Sequence, residues 1–323
     1  MPRPVAALLA LILLGSCSAH PPPAAAVPDS GKVTRIPVPD LDLPRRMQGG
    51  AVLEEAWTLR SRLRISGLSA MALQGDRLML ATDDGQLFAT NCPEDQTLQG
   101  CDDRWGYDGR LVARGAPRAD LEALAIRPDG SVVAGLENMP RLALLQPDGS
   151  GYQIAKLPGA PNMRSLPKNS GPEAVASLPD GRLVVLPEGS VTQEGQATIL
   201  VEQPDGSWQT TRMLLPTPGL LPTEAAVAGD RLFVLLRGLG LLAGWQMQIV
   251  ALPLASLDAR PDELPEPVLV VTLDEQRIAD NYEAMAVRQM ADGSYTLLVA
   301  SDDNGFTLQQ KLLLLFSWRE EGA

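Results

Sequence analysis

A short motif returns along this chain about every fifty residues, and a period of that length restricts the fold to solenoids, propellers or arrays. The five copies are Ser69-Ala-Met-Ala72, Glu122-Ala-Leu-Ala125, Glu173-Ala-Val-Ala176, Glu224-Ala-Ala-Val227 and Glu283-Ala-Met-Ala286, spaced by 53, 51, 51 and 59 positions. Each copy runs into a turn dipeptide: Gly75-Asp76, Asp129-Gly130, Asp180-Gly181, Gly229-Asp230 or Asp292-Gly293. Such pairs supply the positive φ angles of tight hairpins. A more apolar strand follows every turn, for example Arg182-Leu-Val-Val-Leu186, and third and fourth strands follow in most units. Four strands per unit of this length describe a propeller blade. The chain is therefore expected to be all-β, a single β-propeller of five blades, with six as the alternative if the long fourth unit holds a poorly matched pair. The fifth unit stops after three strands at Trp318, while residues 51–59 precede the first motif with no blade of their own. Placing that N-terminal strand at the outside of the fifth unit closes the ring and removes a sheet edge.

The amino terminus has a different character. Arg3, the apolar run from Val5 to Leu14 and the small residues Gly15-Ser16-Cys17-Ser18-Ala19 form an export signal, with an apolar stretch too short for a permanent span. Leu14-Gly15-Ser16-Cys17 looks like a lipobox, so residues 1–16 are expected to be a lipoprotein signal peptide and Cys17 a lipidation site. Ordinary cleavage after Ala19 is the alternative, giving a secreted or periplasmic protein. Residues 17–46 read as a Pro/Ala-rich tether, and residues 47–323 as the propeller. The expected place is the bacterial cell envelope, lipid-anchored and facing the periplasm. Export favours a disulfide between Cys92 and Cys101, which on the chain-entropy estimate contributes roughly 2–3 kcal/mol.

Composition removes several chemistries. The only histidine is His20, beside the leader, so Ser-His-Asp and Cys-His catalysis and histidine-ligated zinc have no residue to use; no haem or nucleotide is expected either. A net charge of −12 over 323 residues repels phosphate backbones, which excludes nucleic acid and leaves the N-terminal lipid as the only membrane contact.

Three stretches carry a family resemblance. Gly67-Leu-Ser-Ala-Met71, Asn169-Ser-Gly-Pro-Glu-Ala-Val-Ala176, and Asp280-Asn-Tyr-Glu-Ala-Met-Ala286 with Ser301-Asp-Asp-Asn-Gly-Phe-Thr-Leu-Gln-Gln-Lys-Leu312 resemble motifs of the phytase-like family of bacterial exported propellers, labelled esterase-like activity of phytase. The likeness covers roughly residues 50 to 318 and implies a propeller with an esterase- or phosphoesterase-type activity. Where the family has glycine after each glutamate, this chain has Ala123, Ala174, Ala225 and Ala284. Its only lysines are Lys32, Lys156, Lys168 and Lys311, a thin supply of cations for phytate itself.

In a propeller the first strand of each blade starts near the axis, and the end of the antiparallel second strand lies beside it. The repeated glutamates should therefore share one mouth with Asp83, Asp84, Glu137, Glu188, Asp302 and Asp303. Glu173 and Glu283 are the candidate catalytic carboxylates. Glu283, Asp302, Asp303 and Asn304 offer hard oxygens suited to calcium, while Arg164, Lys168 and Arg237 are candidates for binding an anionic ester or phosphoester. An architectural role, with the glutamates paired to arginines or backbone amides, competes with this reading. Two functions remain: a calcium-assisted hydrolase of a small ester, lactone or phosphoester, and a noncatalytic envelope propeller that binds a ligand or another protein.

Overall fold

A computed structural model describes residues 33–38, 45–61, 65, 67–112, 120–137, 141–148, 151–163, 171–240, 244–258, 265–274, 278, 280–303 and 309–320. Cys17, Arg164, Lys168 and Asn304, singled out above, lie outside them. Among the described residues the strands pair into five four-stranded antiparallel blades. Blade 1 is Leu68–Gln74, Arg77–Thr82, Gln86–Asn91 and Arg104–Val112. Blade 2 is Leu121–Ile126, Val132–Leu136, Arg141–Pro147 and Tyr152–Lys156. Blade 3 is Pro172–Ser177, Leu183–Pro187, Gln196–Glu202 and Trp208–Leu214. Blade 4 is Leu221–Ala228, Arg231–Gly240, Gly244–Pro253 and Val268–Leu273. Blade 5 is Asn281–Gln289, Tyr295–Asp302 and Leu312–Trp318, with Val52–Ser61 as its outer strand. The five inner strands touch in sequence and the last touches the first, so the ring is closed.

Successive residues of a strand point to opposite faces, and the middle strands are apolar on both because each face meets a neighbouring blade. Leu78 and Leu80 pack towards blade 5 with Trp57, Leu313 and Leu315, while Met79 and Ala81 pack towards blade 2 with Leu124 and Leu145. The same division yields five apolar clusters, one between each pair of neighbouring blades. Burying one such Leu or Val side chain contributes roughly 1.5–3 kcal/mol, so the interblade layers dominate the stability. The extra length of the fourth unit goes into its long second and third strands and a short 3-10 turn at Leu254–Asp258.

The expected tether holds one strand. Val33–Pro37 pairs with Val52–Ser61 on one side and, through Val33 and Thr34, with the outer strand of blade 1 on the other. Alternating Val33, Arg35 and Pro37 against Thr34 and Ile36 gives it strand periodicity, and it straps the seam where the ring closes. Arg35 is buried there, lies over the Trp57 ring at 4.7 Å and donates to Asp103 at 2.8 Å and to the Cys101 carbonyl. Cys92 and Cys101 form a disulfide, both buried. From blade 5, Arg288 donates to the carbonyls of Gly75, Cys92 and Gln96 at 2.8–2.9 Å, fastening the disulfide loop across the same seam.

Candidate functional site

At the axial end where the inner strands begin, the ladder between first and second strands slips by one residue in every blade. The unpaired residues are Ser69, Glu122, Glu173, Thr223 and Glu283. A bulge re-aims a side chain out of the ladder, and repeating it five times builds a ring of polar groups at the mouth. In blade 4 the slip falls on Thr223, not on the Glu224 that the motif alignment selects. Glu224 stays in the ladder opposite Leu235, fully buried, and accepts from the Met71 amide of blade 1 at 3.1 Å and from the Ala225 amide at 2.9 Å. Blades 4 and 1 are not neighbours, so this carboxyl reaches across the axis beneath the mouth. Burial holds its pKa well above the usual carboxylate range.

A second ring comes from the matching register of the second strands. The Asp83, Glu137 and Glu188 amides donate to the carbonyls of Gly67, Asp120 and Gly171 at 2.7, 3.0 and 3.1 Å. Arg237 sits opposite Leu221 in blade 4, and Asp302 opposite Asn281 in blade 5. Four blades thus present a carboxylate at this position and one presents a guanidinium. Gly67 makes room for this: its φ is +72°, and a Cβ there would lie 2.3 Å from the Asp83 carboxyl. Blade 2 places Asp120 at the same point with φ 42°, the left-handed region that Asp tolerates better than most side chains. The repeated motifs do not single out Asp120; the signal for it is its position two residues before Glu122, which matches Gly67 before Ser69.

Burial and mutual repulsion shape the ionisation of these groups. Burial, then Asp84 and Asp302, push Asp83 up to about 7. Burial, only partly offset by Arg237, pushes Glu283 up to about 7. Glu122 is raised well above the usual range by burial and then by Glu173 and Glu283, and Glu173 by burial and then by Glu188 and Glu137. Glu137 is raised by burial and by Asp120, with which it shares a hydrogen bond. Ligand oxygens of Asp120, Glu122 and Glu137 lie within 4.8 Å of one another, and such an all-oxygen set suits calcium.

The residues expected to act are distributed as follows. Arg237 donates to Asn281 Oδ1 and pairs with Glu283 Oε1 at 3.0 Å, to which Asn281 Nδ2 also donates at 2.8 Å. Asp280 fixes this corner by accepting from the amides of Asn281 at 2.8 Å and Gln310 at 3.0 Å. Glu173 is buried among carboxylates. Of the expected calcium ligands on blade 5, Asp303 pairs with Lys311 at 2.5 Å, Asp302 accepts from the Leu68 amide at 3.1 Å, and Glu283 is engaged by Arg237. Among the described residues a compact carboxylate trio, Asp120, Glu122 and Glu137, lies on blade 2. Asp84 is turned aside by Arg110, at 3.2 Å.

The family model for phytase-like proteins, esterase-like activity of phytase, matches residues 63–305, and the chain belongs to that family. No curated protein sequence matches it. Among solved structures, an endo-arabinase of Bacteroides thetaiotaomicron is 11% identical with a TM-score of 0.49, covering 81% of this chain and 96% of its own. Glutaminyl cyclase of Myxococcus xanthus is 12% identical with a TM-score of 0.46, covering 84% and 97%. Virginiamycin B lyase of Staphylococcus aureus is 10% identical with a TM-score of 0.42, covering 89% and 99%.

Proposed function

We propose that this chain is an exported, lipid-anchored phytase-like propeller that hydrolyses a small ester, lactone or phosphoester at the carboxylate mouth with calcium as cofactor. The observation that carries this is the ring of Asp83, Glu137, Glu188 and Asp302 interrupted by Arg237. Asp120, Glu122 and Glu137 would hold the ion. Calcium, when bound, neutralises carboxylates that burial would otherwise keep protonated, and polarises a substrate oxygen. Arg237 binds the negative charge that develops on the ester oxygen. Glu283 Oε1 is occupied by Arg237 and Asn281, leaving Oε2 to exchange a proton, and its value of about 7 suits acid-base work at neutral pH. Glu173 reinforces the field that keeps these protons bound.

Metal analysis of purified protein, with an ester and phosphoester screen in the presence and absence of chelator, tests the reading. Chelator-sensitive turnover that is lost in Glu283→Gln supports it; no calcium binding and no turnover overturns it. Replacing Cys17 by Ser should release the protein from the membrane fraction, and unchanged retention counts against the lipid anchor. The Glu224 carboxyl spanning the axis beneath the mouth also suits a noncatalytic envelope propeller that binds a ligand or protein. Calcium binding without turnover on any ester would favour that alternative.

A further inference from the structure

One hairpin rises above the mouth. The second and third strands of blade 4 pair without interruption from Arg231 opposite Pro253 to Gly240 opposite Gly244. Arg237 marks the level of the carboxylate ring, so Gly238, Leu239 and Gly240 stand beyond it. Residues directly opposite in a ladder share a face, as do alternate residues of one strand. Arg237 opposite Met247 and Leu239 opposite Trp245 therefore lie on a single face. From the core outwards that face reads Met247, buried; Arg237, which reaches Asn281 and Glu283; Trp245, whose ring lies 5.6 Å from the Arg237 guanidinium; and Leu239, 65% exposed. Because Arg237 reaches blade 5 at the mouth, the whole face looks that way.

The loop that enters blade 4 backs the hairpin. A Cβ on Gly238 would lie 2.7 Å from Leu220 Cδ2 and 2.8 Å from the Gly219 carbonyl, and Leu220 is buried. Glycine at 238 thus lets the loop pack closely against the strand. The other exposed large apolar residues described, Tyr107 in blade 1 and Val268 opposite Ala251 at the far end of blade 4, are 40% and 38% exposed and stand away from Trp245 and Leu239.

We infer that the mouth takes an amphiphile, an alkyl ester or alkyl phosphoester whose polar head sits at Arg237 and the carboxylates and whose alkyl chain lies along Trp245 and Leu239. This rests on the proposed hydrolytic site and names its substrate class. A head bound at Arg237 has polar groups around it, and the wall of Trp245 and Leu239 is the apolar surface next to it. Covering one side of a chain realises about half of full burial, which amounts to roughly twofold in affinity per methylene.

Titration calorimetry with n-butyl, n-hexyl and n-octyl phosphate below their micelle concentrations, with calcium in excess, tests this. Affinity should rise about sixteenfold from butyl to octyl. In Leu239→Ser the rise should fall to about twofold or less with an unchanged melting curve, while Tyr107→Ser keeps it. Co-sedimentation with phosphatidylethanolamine vesicles containing phosphatidylglycerol separates the sources. Graded binding of the monomeric phosphates identifies a soluble alkyl ester, and vesicle binding lost in Leu239→Ser identifies a membrane lipid; either supports the inference. Butyl and octyl phosphate binding equally, with no vesicle binding, overturns it while leaving the head site intact. Absence of any calcium or butyl phosphate binding instead overturns the hydrolytic reading beneath it.

Discussion

The two rims of the ring carry the same residue type in opposite states. At the turn rim, Asp129, Asp180 and Asp292 accept from the amides two residues ahead at 2.9, 3.1 and 3.0 Å. Hydrogen bonds from Ser131 and Ser294 lower Asp129 and Asp292; Asp180 is lowered as well, because hydrogen bonds from Arg182 outweigh its burial. At the mouth, burial raises Asp83, Glu122, Glu173 and Glu283, and neighbouring carboxylates add to it. Turn acids are solvated structural punctuation, whereas mouth acids are buried together and Arg237 offsets only part of that burial. An aspartate in a propeller hairpin is therefore functional by its rim, not by its identity.

The largest expected effect separates burial from charge. Glu224→Ala should cost about 3 kcal/mol in urea unfolding, from the lost volume and the orphaned Met71 amide. Glu224→Gln should cost less than about 1 kcal/mol, because burial already favours the neutral form and the amide oxygen still accepts. Equal losses would mean that the charge, not the shape, matters there, and would remove Glu224 from the class of buried neutral acids.

Glu137→Gln should weaken calcium binding by about tenfold or more, since it removes one negative charge from a three-carboxylate set. Without calcium it should leave the melting temperature unchanged or raised. A lowered melting temperature with intact calcium affinity would place Glu137 with the structural acids.

Acidity gives the third test. In the fold Asp83 and Glu283 hold protons to about 7, against 3.8 and 4.5 for the unperturbed groups. The folded state therefore binds more protons than the unfolded chain between those limits. Their contribution is fully present below the unfolded values and is lost as pH rises to about 7. Turn acids work the other way, contributing above the unfolded value and losing it as pH falls through their lowered folded values. Calcium-free protein should thus melt several degrees higher at about pH 5 than at about pH 8, with calcium shrinking the gap. The reverse order would break the contrast between the rims.

The smallest effect belongs to the turn rim. Asp180→Asn should change stability by no more than about 0.5 kcal/mol, and activity or calcium binding not at all.

Much of this architecture was legible. Turn dipeptides and alternating apolar runs place the hairpins, and the surplus strand before the first motif is found pairing with Leu312–Trp318. Arg237 and Glu283 could be assigned to one mouth because antiparallel neighbours bring strand ends together. Three features escaped. Letter similarity aligned Glu224 with the other glutamates, but Pro222-Thr223 shifts the bulge by one residue and sends Glu224 across the axis. The carboxylate trio includes Asp120, whose left-handed φ no spacing rule announces. Val33–Pro37 was hidden by surrounding prolines, because its partners lie in blades 5 and 1 and local composition does not record them.

Ring closure also orders events in time. Val52 pairs with Ser317, so blade 5 cannot be completed until nearly all of the chain is available, whereas the hairpins of blades 1 to 4 join close neighbours. Bringing those distant ends together costs roughly 3–4 kcal/mol more entropy than closing a five-residue hairpin, and distant pairing slows folding. Blades 1 to 4 are expected to gather first and the seam to lock last, with Arg35, Arg288 and the disulfide loop drawn in as it shuts. A chain emerging amino-terminus first would then wait with one edge of Val52–Ser61 unpaired, leaving Trp57 and Leu59 uncovered until its final strand arrives.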